Sequence, residues 1–106
     1  MKLDTAAAEI GISLAAYKRL CRLFLDNTDR DIQTLHDALR AGDTGKISET
    51  AHHIKGAATN LDLEELADLA AEMRAHAEED HERLEEVLSR LGDTYKEIKS
   101  ELLEQL

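Results

Sequence analysis

Apolar residues fall three or four apart along most of this 106-residue chain, with polar residues between them. That spacing marks amphipathic helices, each with one buried stripe. The longest stripe runs through Leu14, Tyr17, Cys21, Phe24, Ile32, Leu35 and Leu39. Ser13 stands just before it as an N-cap. The stripe thins over residues 26–29, which predicts a kink or break there. "AGD" at 41–43 ends the segment and leaves Asp43 to cap the next helix. A second stripe, Ile47, Ala51, Ile54, Ala58 and Leu61, predicts a helix over about 44–60. "NLD" at 60–62 reads as a turn, because Asn and Asp tolerate left-handed backbone. The next helix is expected to start near Asp62, with Leu63, Leu66, Ala70, Met73 and Ala77 facing inward and Glu64 and Glu65 favouring the dipole of its first turn. The last stripe, Leu84, Leu88, Leu91, Tyr95, Ile98 and Leu102, predicts a helix over about 80–104 that Gly92 interrupts without breaking. Residues 4–10 form a short additional helix, capped by Asp4 or Thr5 and ended by Gly11.

Four long amphipathic helices joined by short turns alternate in direction. The predicted fold is therefore all-α: one domain over residues 1–106, an antiparallel up-down four-helix bundle with a short additional N-terminal helix. Composition agrees, with no proline and only 3% aromatics. Charge narrows the function. Acidic residues number 23 against 13 basic ones, a formal net charge of −10, which disfavours nucleic acid and anionic membranes as partners. No stretch approaches the roughly 20 apolar residues of a membrane span, and no secretory leader is evident, so the expected location is the cytoplasm. Cys21, the one cysteine, has no internal disulfide partner and sits among apolar neighbours as a buried residue.

The candidate chemistry lies in "AHHIKGAATNL", residues 51–61. With the 47–51–54–58–61 stripe set to zero, His52 points about 140° to one side and His53 about 120° to the other. Both are expected at the surface. His52 shares its side of the helix with Ser48, Lys55, Gly56 and Thr59. His53 is flanked by Glu49 and Asn60, and with Glu49 it reads as an ordinary surface pair. A cation at i+3 and a missing side chain at i+4 suit the approach of something bulky and anionic to the His52 ring. Glycine at that place costs a helix interior roughly 1 kcal/mol relative to alanine.

These residues resemble the signature of histidine-containing phosphotransfer (HPt) domains: His-x-x-Lys-Gly on an exposed helix, usually preceded by Ala. His52, Lys55 and Gly56 match it, with Ile54 at the apolar position. "ALRAGDTGKISETAHHIKG" is similar to the family's approach to the histidine, and "LEELADLAAEMR" to the helix that follows. The resemblance covers roughly residues 13–105. It implies a phosphorelay intermediate in which His52 accepts a phosphoryl group from a receiver-domain aspartate and passes it to another receiver. Lys55 would offset the arriving charge, and Gly56 would give the receiver clearance. Ser48 and Thr59, with Leu14 and Tyr17 if these lie outside the core, are candidates to meet it. The expected partners are receiver domains of response regulators or hybrid kinases. Mg²⁺ is expected on the receiver, with no cofactor or metal on this chain, which would be a monomeric carrier rather than a self-contained enzyme. Two departures stand out. Asp62 replaces the glycine often found in the turn after the active helix, and Arg74 lies near a position where many members carry Gln or Glu. Arg74 either approaches His52 and helps hold the phosphoryl group or pairs with acids such as Asp68 or Glu78.

Other classes find less support. The five histidines are scattered, and the adjacent pair points to different sides, so a metal chelate is disfavoured. No acid–base constellation converges on either histidine. The principal rival is a non-catalytic helical module that binds receiver or kinase domains.

Overall fold

The computed structural model describes residues 2–106, all of whose regular structure is helical. The elements are α1 (Leu3–Glu9), α2 (Leu14–Ala41), α3 (Thr44–Asn60), α4 (Glu64–Ala75) and α5 (His81–Gln105). Local chemistry sets the ends of the long helices. Ser13 Oγ accepts the Ala16 N–H at 3.1 Å at the start of α2. Gly42, at φ +68°, ends α2 in the left-handed conformation. There the Gly42 N–H donates to Leu39 O and the Asp43 N–H to Ala38 O, satisfying carbonyls the helix leaves open. Asp43 Oδ1 then accepts the Lys46 N–H at 3.0 Å and starts α3.

Cross-helix partners show the alternation. Asp31 meets His53, His52 meets Arg74, and Glu72 meets Arg90. Between the first and last long helices, Asp29 meets Lys99, while His36 and Arg40 share a groove with His81 and Glu85. Each pairing joins residues that approach one another in sequence number from opposite directions, so α2 to α5 form the antiparallel bundle. The core is one cluster that includes Leu35, Ile47, Ile54, Leu66, Met73, Leu88 and Leu91. The short α1 covers one end of the bundle through Leu3 and Ala7, and its Leu3 N–H donates to Gln105 Oε1 at 3.2 Å.

Several local expectations need correction. α2 runs through residues 26–29 without a break. Leu25 and Thr28 are buried there, so the inner face continues beneath the polar run. Leu14 is 40% exposed rather than inside the core. With Asp31 level with His53, the end of α3 lies level with the middle of α2, so α3 does not reach Leu14. Tyr17 is buried. α1 begins at Leu3, after Lys2, with no side-chain cap; Asp4 Oδ1 instead accepts the Thr5 N–H. α4 starts at Glu64 because Asp62 is taken up by the turn.

One polar cluster ties α5 to α2. The Tyr95 hydroxyl donates to Asp29 Oδ1 at 2.6 Å and lies 3.0 Å from the Leu25 carbonyl oxygen; Lys99 Nζ reaches both Asp29 oxygens at 3.1 and 3.0 Å. Burial pushes the Asp29 carboxyl up, but the bonds from Tyr95 and Lys99 outweigh it and hold the group below its ordinary value. Tyr95→Phe is expected to lower stability by about 1–3 kcal/mol in urea unfolding, since it removes a hydrogen bond to a charged carboxylate. A carboxylate with a depressed folded pKa adds stability above its unfolded pKa of about 4 and loses that stability as pH falls through the folded value. The gap between wild type and Tyr95→Phe should therefore narrow in acid. Thr28 carries a fully buried hydroxyl with no partner. Thr28→Val is expected to raise stability in the same assay by about 1 kcal/mol.

Candidate functional site

α3 presents its inner stripe, Ile47, Ala51, Ile54 and Ala58, to the core, and each is at most 1% exposed. That anchoring turns the other side of the helix outward. His52, His53, Lys55, Gly56 and Thr59 are all exposed, while Ser48 is half-buried. A Cβ built on Gly56 would meet nothing within 4 Å. No packing inside this chain therefore calls for glycine at that position.

The two histidines face different neighbours. His52 lies on the α4 side, where Arg74 Nη1 stands 3.1 Å from its Nδ1. Of the two readings of Arg74, the structure has the contact with His52. Among the described residues neither Asp68 nor Glu78 pairs with it. His53 lies on the α2 side, and its Nδ1 is 3.5 Å from Asp31 Oδ2. The expected pairing with Glu49 is corrected: Asp31, on the neighbouring helix, is the partner. Residues 31 and 53 lie equally far from Gly42, so an antiparallel register brings them level.

Lys55 makes no ion pair among the described residues, and its ammonium faces solvent one turn beyond His52. Thr59 donates its hydroxyl back to the Lys55 carbonyl at 2.8 Å, which leaves its oxygen able only to accept from outside. Ser48 joins Glu49, Arg74 and Glu78 in an open groove between α3 and the end of α4. Asp62 takes φ +58°, the left-handed turn conformation in which glycine is most at ease. The Leu63 N–H then donates to Ala58 O at 2.9 Å, so the turn closes with aspartate in the glycine's place.

Two apolar residues not singled out from the sequence flank this face. Leu20 is 44% exposed and Leu23 57% exposed. On α2 they share a side with Asn27 and Asp31, the side that meets α3. Their signal was available: both are large apolar groups lying off the α2 core stripe.

The remaining histidines sit elsewhere. His76 pairs with Glu79 at 2.7 Å and His81 with Glu85 at 3.0 Å. Among the described residues, no three His, Cys, Asp or Glu side chains are grouped to hold a metal ion. No described helix is long and apolar enough to cross a membrane. The arrangement offers a solvent-facing imidazole beside a free ammonium, a guanidinium on the ring's Nδ1, and open space over a glycine.

The family model described as "Hpt domain" matches residues 19–105. No curated protein and no solved structure matches the chain.

Proposed function

The chain belongs to the Hpt domain family, whose domains serve histidine phosphotransfer in phosphorelays, and from that premise we propose that His52 is its phosphoryl carrier. In this reading a phosphorylated receiver docks on the outward side of α3 and the adjoining side of α2. A His52 ring nitrogen, taken as Nε2, attacks the aspartyl phosphate in line. The N–P bond forms as the bond to the aspartyl oxygen breaks, and that electron pair returns to the carboxylate. A second receiver's aspartate then takes the group from phospho-His52 by the reverse chemistry.

The observation that carries this reading is the open space over Gly56, one turn from an exposed His52 and next to an unpaired Lys55. A helix interior tolerates glycine at a cost of roughly 1 kcal/mol relative to alanine, and nothing inside this chain requires it. A receiver's active-site rim closing over the histidine does. Phosphoryl transfer depends chiefly on positioning and charge stabilisation. Here Lys55 supplies charge beside the nucleophile, and Leu20 and Leu23 supply apolar contact for docking. Ser48 and Thr59 lie at the edges of that surface. Mg²⁺ belongs to the receiver.

The test is incubation of the purified protein with phosphorylated receiver domains. Label that moves to this chain, survives base and is lost in acid supports the reading. Stable binding of receivers with no label transferred would overturn it in favour of a non-catalytic interaction module.

A further inference from the structure

Arginine carries N–H donors and no acceptor, and it stays protonated. With Arg74 Nη1 3.1 Å from His52 Nδ1, that ring nitrogen must therefore present its lone pair. In a neutral imidazole the single ring proton then sits on Nε2. A nitrogen that holds the proton has no free lone pair for attack on phosphorus. His53 shows the opposite arrangement, because the carboxylate of Asp31 near its Nδ1 favours a proton there.

We infer that Arg74 is a positioning residue that holds His52 in the Nε2–H tautomer, keeping the carrier nitrogen silent until an incoming phosphoryl group draws the guanidinium away from Nδ1. This rests on the phosphotransfer reading of His52. The two ring nitrogens project to different sides of the imidazole, so a guanidinium bonded at Nδ1 cannot also bond a phosphoryl group at Nε2. A phosphoryl dianion offers the guanidinium fork a charged, two-point acceptor, which a ring nitrogen does not. As Arg74 moves to it, Nδ1 is free to take a proton from water while Nε2 gives one up to water. The Nε2 lone pair then attacks phosphorus, the P–O bond to the aspartyl carboxylate breaks, and the carboxylate keeps the electron pair. The phosphorylated ring leaves this step with its proton on Nδ1. When that proton returns to water, Arg74 can bond Nδ1 again, and the ring is then a poorer leaving group.

Nitrogen-15 NMR of the imidazole rings at mildly alkaline pH tests the tautomer on the free protein, without any partner. Wild type is expected to show His52 with Nε2 protonated and Nδ1 bare. Arg74→Gln, which offers an acceptor as well as a donor, is expected to populate the Nδ1–H form and to accept phosphate from a phosphorylated receiver faster. The gain should be on the order of tenfold, the net worth of one hydrogen bond to a charged group. Arg74→Lys keeps a donor without an acceptor and is expected to stay near wild type in both measurements. A wild-type His52 already protonated on Nδ1, or a tautomer unchanged in Arg74→Gln, overturns the inference. So does a shifted tautomer with an unchanged acceptance rate. A shifted tautomer with no label on His52 in any of the proteins overturns the phosphotransfer reading instead and leaves the tautomer assignment standing.

Discussion

His52→Gln is expected to abolish transfer of label from a phosphorylated receiver, by at least about a thousandfold, because it removes the proposed nucleophile. His53→Gln is expected to stay within a few-fold of wild type. The comparison is clean for structural reasons. Both side chains are exposed, so neither amide substitution disturbs the core. Glutamine is a good helix former, and at position 52 its carbonyl oxygen can still accept from Arg74. The loss therefore reports chemistry and not unfolding, and circular dichroism melts of the two variants should match wild type closely. At His53 the lost contact is a largely exposed pair with Asp31, 3.5 Å apart. Such pairs contribute at most about 1 kcal/mol to stability. Label that depends on His53 and ignores His52 would refute the assignment of the carrier, although the family would stand.

Gly56→Gln should move stability and activity in opposite directions. In the free protein a side chain at 56 enters open space. Replacing glycine in an exposed helix interior is then worth roughly 1 kcal/mol in propensity, or about 4–8 °C in melting temperature for a small domain. In the proposed complex the same side chain would stand between the receiver and His52. Displacing reacting groups by about 1 Å can cost on the order of a hundredfold in rate, and that is the slowing expected for transfer from a receiver. Gly56→Ala, with a single methyl group, should stabilise similarly and slow transfer much less. A Gly56→Gln protein that is more stable and transfers at the wild-type rate would remove the docking role from this glycine. One that is less stable would show that the backbone at 56, not clearance, requires glycine.

The bundle was legible because its helices are strongly periodic and their ends carry explicit chemistry. Ser13, Gly42 and Asp43 occupy the cap positions that their residue types favour, and the stripes of α3, α4 and α5 became the buried faces almost residue for residue. The misreadings fell where periodicity is a weak guide. A polar run at 26–29 resembled a break, yet Leu25 and Thr28 continue the inner face and Asp29 is held by Tyr95 and Lys99 of α5. Leu14 has the right spacing for the core, but in the first turn of α2 it stays 40% exposed.

At the site, helix angle alone separates His52 from His53 and puts both in solvent, and residue spacing alone places Lys55 and Gly56 one turn away. Those relations lie within a single helix, whose geometry is set by local hydrogen bonds, so the sequence by itself determined them. The partners of the two rings are different in kind. Arg74 follows His52 by a turn and a second helix, and Asp31 precedes His53 by another turn. Which side chains meet across those gaps depends on the register and rotation of packed helices. Burial of the whole core settles that register, and no one stretch of sequence specifies it. Only the tertiary structure decided that a donor, and not an acceptor, sits on Nδ1 of His52.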